Sequence, residues 1–140
     1  MIQDADNPDK DTRIGGVNNR LEYLKSLKEE YELEFSTFLF PNNKDDGDLE
    51  DILLAIVNED KYRPFHENYS NYSDRVKSFS LEKHALELME SKYLVFNYCQ
   101  VYHGAENSKE SVRFYRSEYW DLNHDAIKPL TTFLEQEIFE

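Results

Sequence analysis

The chain is poor in several residue types: among its 140 residues are one cysteine, one tryptophan, two methionines, four glycines and four prolines. A lone Cys99 cannot close an internal disulfide, which suits a reducing compartment, and its place in an apolar helical stripe marks it as a buried thiol rather than a nucleophile. Glycine is too scarce for a phosphate-cradling loop, since Gly15-Gly16 is followed by no Lys-Ser or Lys-Thr pair. No apolar run approaches the roughly 18–20 residues of a membrane span, and no leader is recognisable before Asp4. The expectation is therefore a cytoplasmic protein with no membrane partner, in which the sequons Asn68-Tyr69-Ser70 and Asn71-Tyr72-Ser73 are coincidental. Positive charge is scarce as well: 16 Lys and Arg stand against 29 Asp and Glu, a net charge of −13. Such a field repels nucleic-acid phosphates, which excludes groove binding by a basic surface and argues against direct nucleic-acid binding. The four histidines form no metal motif: His66-Glu67 has no second His at the zincin offset, and His84 and His103 are too far apart to share one ion on a single helix.

What the chain does hold is enough for a core. Leu, Ile, Val and Phe make up about a quarter of it, above the roughly 20% that marks disorder. Aromatic residues reach 14%, and each brings a large apolar area to burial. The length fits a single domain over 1–140, with a strand–helix–strand–helix core over 1–57 and a helical part over 58–140.

Met1 to Asp6 reads as the end of a buried strand. Val17, Leu21, Leu24 and Leu27 recur at three and four, which predicts a helix over about 16–31. Leu33 to Phe40 is aromatic and β-compatible and closes at Pro41, which predicts a second strand. Asp48 is placed to cap a helix whose Leu49, Ile52, Leu53 and Ile56 share one face. Pro64 fits the first turn of a helix running to about Phe79. Ser80 then caps a long helix to Gly104 that carries Leu81, Ala85, Leu88, Met89, Phe96 and Cys99 inward. Lys109 to Tyr119 is predicted helical, and a last helix over about Asp125 to Ile138 should break or restart at Pro129 and bury Leu130, Phe133, Leu134 and Ile138. A helical crossover between two strands makes a parallel pair, so the expected class is α/β with a short parallel sheet and a mostly helical C-terminal part.

Asp4 and Asp6 are the sharpest chemical candidates. Residues i and i+2 of a strand project from one face about 6.5–7 Å apart, and at the carboxyl end of a parallel strand they point toward the crevice where α/β sheets bind ligands. Two carboxylates there suit Mg²⁺, which keeps several waters and takes one or two protein oxygens. The pattern alone is weak, since Asp-x-Asp also occurs at Asp9/Asp11 and Asp46/Asp48. Glu50, just inside the helix after the second strand, opens toward the same sheet end, although Asp48, Glu50 and Asp51 also serve simply to offset a helix dipole.

Taken together, Asp4-Ala5-Asp6, Pro41-Asn42-Asn43, Gly47-Asp48-Leu49-Glu50-Asp51-Ile52-Leu53-Leu54 and Tyr119-Trp120-Asp121-Leu122 with Pro129-Leu130 and Phe133-Leu134 resemble an uncharacterised prokaryotic family with a TOPRIM-like domain. That Rossmann-like fold is shared by topoisomerases, primases and nucleases of the overcoming-lysogenization-defect type. The resemblance implies a partial TOPRIM-like core with Asp4 and Asp6 as Mg²⁺ ligands and Glu50 as a weaker third acid. It departs from the family in one respect. TOPRIM domains carry a glutamate on a strand that precedes the Asp-x-Asp strand, and this chain begins at the latter. With that acid missing, the expectation is at most a weak Mg²⁺ site with little or no nuclease activity and no assignable catalytic residue.

Two other functions compete. Unpaired strand edges favour a self-associating interaction protein, a homo-oligomer in which two chains complete each other's sheet. The net charge suggests, more distantly, an acidic mimic of nucleic acid. The aromatic run Tyr62, Phe65, Tyr69, Tyr72, Phe79 invites base stacking, but it lies among many acids and reads as helix packing.

Overall fold

Two short strands anchor the N-terminal half in the computed structural model, which describes residues 1–9, 13–103 and 117–139. Strand β1 (Ile2–Asp4) pairs in parallel with β2 (Phe38–Phe40), Ile2 opposite Phe38 and Asp4 opposite Phe40. The architecture is mixed α/β, dominated by helices: α1 (Val17–Tyr31), α2 (Leu49–Ala55), α3 (Glu59–Lys77), α4 (Glu82–Leu88), α5 (Ser91–His103) and α6 (Lys128–Phe139). The expected parallel pair joined by a helix is present, but β2 is shorter than Leu33–Phe40. The reason lies at the end of α1, where Glu32 turns into the left-handed region (φ 51°) and Leu33 N donates to Lys28 O, so the chain is still closing the helix where a strand was expected.

The chain divides into two compact units, residues 1–55 with 123–140 and residues 56–122. In the first, Ala5, Val17, Leu24 and Leu39 are buried together, with Leu27 and Phe35 packed at their edge. Phe38 is fully buried, its ring 5.6 Å from Phe40 and 5.4 Å from Phe133 of α6. Helix α1 lacks a side-chain cap of its own, because Gly16 holds the N-cap position. Its first amide is satisfied from a distance instead: Val17 N donates to Asp46 Oδ1 at 2.7 Å. Asp46→Ala should therefore cost about 1 kcal/mol, as loss of a local cap does, read as a lowered urea midpoint with an unchanged slope.

In the second unit, α3 begins at an Asn58 cap, six residues before Pro64, and buries Phe65, Ser73 and Val76 along one side. Ser73 is 1% exposed because its hydroxyl donates to Ala85 O at 2.9 Å, which satisfies the buried oxygen. Tyr98 of α5 is the hub. Its ring lies 5.2–5.7 Å from those of Tyr102, Tyr62, Phe65 and Trp120, with Tyr119 at 6.3 Å. Cys99 is buried, as expected.

The long helix expected from Ser80 to Gly104 is two helices. Ser80 adopts φ 61° and α4 ends at Leu88, after which α5 starts afresh at Ser91. Leu81 and Phe96, expected inward, are 53% and 52% exposed, since the break rotates the two apolar stripes out of a common face. Ile138, expected inside, is likewise exposed in the last turns of α6. Pro129 falls in the first turn of α6, after a 3₁₀ turn over Asp125–Ile127, so the expected restart is seen. The helix predicted over Lys109–Tyr119 lies mostly outside the described residues; Ser117–Tyr119 form a 3₁₀ turn. Among the described residues no helix is long and apolar enough to cross a membrane.

Candidate functional site

The predicted acids sit where β1 ends and α2 begins, within the first unit. Asp4 closes β1, and its Oδ1 accepts from Leu49 N, the first amide of α2, at 3.0 Å. That bond brings the strand acid to the helix turn that carries Asp48, Glu50 and Asp51. Asp48 and Asp51 cap the helix reciprocally: Asp48 N donates to Asp51 Oδ2 at 2.9 Å and Asp51 N to Asp48 Oδ1 at 3.2 Å, a capping box built from two aspartates. Gly47 is needed beside them. Its φ is 151°, and an added Cβ would collide with the Asp51 carboxylate.

Asp6 is placed differently. It leaves the strand with φ 62°, and its backbone exchanges both hydrogen bonds with Gly47, Asp6 N to Gly47 O at 2.8 Å and Gly47 N to Asp6 O at 3.2 Å. Its carboxylate is bound by Arg20 of α1, whose side chain is 11% exposed and whose Nε lacks a hydrogen-bond partner. The structure thus gathers Asp4 with the turn that bears Glu50 and turns Asp6 toward a guanidinium. Among the described residues, no three His, Cys, Asp or Glu side chains converge closely enough to hold a metal ion.

Electrostatic strain concentrates on Asp48. Partial burial, then the charges of Asp51, Glu50 and Asp4, push its carboxyl up to about 6, while the Asp51 backbone amide pulls the other way. The folded state therefore holds this proton more tightly than the unfolded chain does. The stabilisation this gives is present below the ordinary carboxylate value and is lost as pH rises through about 6. Asp48→Asn keeps a good N-cap and removes the charge. It should be more stable than the natural chain by about 1 kcal/mol at neutral pH, a value reduced from the full shift because the group is partly solvated. Urea titrations near pH 7.5 and pH 4.5 check this, the difference between the two proteins disappearing at the lower pH.

The sequence marks Asp48 as a helix cap and dipole partner and Asp46 only as half of an Asp-x-Asp pair, and it gives no sign of Arg20. Nothing in the spacing of Asp6 and Arg20 announces a pair across a loop, whereas Asp46-x-Asp48 was visible as a motif with no context to set it apart. A family model described as "Protein of unknown function (DUF3226)" matches residues 1–139, which spans both units. The chain belongs to the DUF3226 family. No curated protein and no solved structure matches it. In this DUF3226 member the turn that opens α2 gathers Asp48, Glu50 and Asp51 beside Asp4, and partial burial and the charges of its neighbours raise the Asp48 carboxyl.

Proposed function

We propose that this DUF3226 chain is a TOPRIM-like domain that holds a hydrated Mg²⁺ weakly at the β1–α2 junction and has little or no nuclease activity of its own. The observation that supports this reading is the hydrogen bond from Leu49 N to Asp4 Oδ1, which sets the strand acid beside the turn bearing Asp48 and Glu50. Asp4 and Glu50 would each contribute an oxygen beside Asp48, and water would complete the shell. Such a donor set suits Mg²⁺, which accepts one or two carboxylates and keeps the rest of its waters. Asp6, engaged by Arg20, joins only by giving up that partner. An ion bound there would polarise a phosphoryl oxygen, but efficient phosphoryl transfer needs metals clamped at both attacking and leaving oxygens, which two or three loosely gathered acids do not supply.

Isothermal titration of the full chain with Mg²⁺ and Mn²⁺ tests the reading. Binding in the millimolar range is expected, and at about ten times the Kd it should add about 1.4 kcal/mol to stability. Asp4→Asn and Glu50→Gln should abolish the heats, while Asp6→Asn keeps them and lowers stability by freeing Arg20. Heats that are identical in the natural chain and Asp4→Asn would remove the metal reading. Metal-dependent nicking of supercoiled plasmid at nuclease rates would remove the claim of little activity.

A second reading, self-association, is favoured by Met1 and Ile2, which stand 52% and 43% exposed at the start of β1. A light-scattering mass of two chains at low micromolar concentration, unchanged by chelator, would favour it over a cation-binding monomer.

A further inference from the structure

The two edges of the parallel pair are finished differently. Along β2 the outward groups are closed: Leu39 N donates to Asn43 Oδ1 at 2.6 Å, and Asn43 N donates to Leu39 O at 2.8 Å. Along β1 they are left open. The ladder uses Met1 O, which accepts from Phe38 N at 2.8 Å, and Ala5 N, which donates to Phe40 O at 3.2 Å. Alternation along a parallel pair then turns the amide and carbonyl of Ile2 and of Asp4 to the opposite side. Among the described residues no hydrogen bond reaches those backbone groups. Ile2 is 43% exposed, so the row opens to solvent at its start.

Unpaired N–H and C=O groups along a strand are a template for one kind of ligand, an extended backbone. Charge decides whose. The unit that carries this edge, residues 1–55 with 123–140, holds 18 Asp and Glu against 7 Lys and Arg. Its acids crowd the carboxyl end of β1, where Asp4 meets the turn bearing Asp48, Glu50 and Asp51. Asp4, Asp48 and Asp51 are answered there by backbone amides and, among the described residues, not by Lys or Arg. A second copy laid along the edge would bring the same excess of acid, and like charges on adjoining strands repel. We infer that the outer edge of β1 is a docking site for an extended, basic segment of a partner protein, which adds as a strand and sets Lys or Arg against Asp4 and Glu50. Backbone pairing supplies the geometry, and the acids select the sign of the partner. A three-residue edge offers few main-chain bonds, so the complex is weak, and salt weakens it further. No bound metal is required for this pairing.

Fluorescence anisotropy on the full chain, in the presence of chelator, tests this with a labelled hexapeptide of alternating Lys and Val. Beside it run the same peptide N-methylated at every amide, which keeps the charge and removes every main-chain donor, and a peptide of alternating Glu and Val. The basic peptide should bind at least about tenfold more tightly than its methylated form, the loss expected when the carbonyls of Ile2 and Asp4 go unpaired. The acidic peptide should not bind. The amide hydrogens of Ile2 and Asp4 should exchange more slowly once the basic peptide is bound. Equal binding of the basic and methylated peptides would overturn the inference, because charge alone would then account for it. So would an acidic peptide bound as tightly as the basic one, no binding of the basic peptide, or unchanged exchange at Ile2 and Asp4. A two-chain mass by light scattering that the basic peptide fails to dissociate would give the edge to a second copy and overturn it likewise. Mg²⁺ heats are measured without peptide, so failure here leaves the metal reading standing, and failure of the heats leaves the docking edge standing.

Discussion

Tyr98→Ala should remove about 3–5 kcal/mol of stability, the range for emptying a large aromatic site in a core. Tyr98 is 1% exposed and is ringed by Tyr62, Phe65, Tyr102, Tyr119 and Trp120, so its removal leaves a hole bordered by rigid rings. Rings cannot fold inward as a leucine would, and collapse of the cavity is correspondingly small. The hydroxyl matters far less. It donates to Tyr119 O at 3.3 Å, so Tyr98→Phe should cost about 0.5–1.5 kcal/mol. Urea unfolding followed by circular dichroism measures both. A Tyr98→Ala protein within 1 kcal/mol of the natural chain would show that the rings are loosely held and that Tyr98 is no hub.

Phe38→Ala should be comparable, about 3–5 kcal/mol, in the other unit. Phe38 is fully buried and sits between Phe40 and Phe133, which ties β2 to α6. It also stands opposite Ile2 in the parallel register, two residues before the strand acid Asp4. The loss should therefore appear twice, as a lower Tm and as a weakened Mg²⁺ heat, because Asp4 depends on that register to reach Leu49 N. Phe38→Leu, which refills most of the space, should recover the heat and the larger part of the stability. Full Mg²⁺ binding by Phe38→Ala would disconnect the sheet from the acids.

Much of the helical framework was legible. The three-and-four spacing of Val17, Leu21, Leu24 and Leu27 located α1 to within a residue, and the Asp48 cap located the start of α2. These signals are local, and local signals survive translation into structure. The break between α4 and α5 was not legible, because Ala85, Leu88 and Met89 continue a helical period up to Glu90 and no glycine or proline interrupts it. The start of α3 was missed for the opposite reason: Pro64 announces a first turn, yet Asn58 caps the helix earlier and the proline is accommodated inside it. At the acids, the meeting of Asp4 with α2 followed from the order of strands, whereas the pairing of Asp6 with Arg20 depends on a left-handed residue that redirects the chain. Sequence spacing carries no record of such a turn.

The connection between β2 and α2 has little slack. Leu39 N donates to Asn43 Oδ1 and Asn43 N to Leu39 O at its start, Asn42 gathers the amides of Lys44 and Asp45, Asp46 reaches Val17, and Gly47 is latched to Asp6. A stretch that composition alone would assign to a floppy surface turn behaves instead as a fixed-length strap. Adding or deleting one residue within it would shift either the latch or the contact at the start of α1, so insertions, tags and labels belong elsewhere on the molecule.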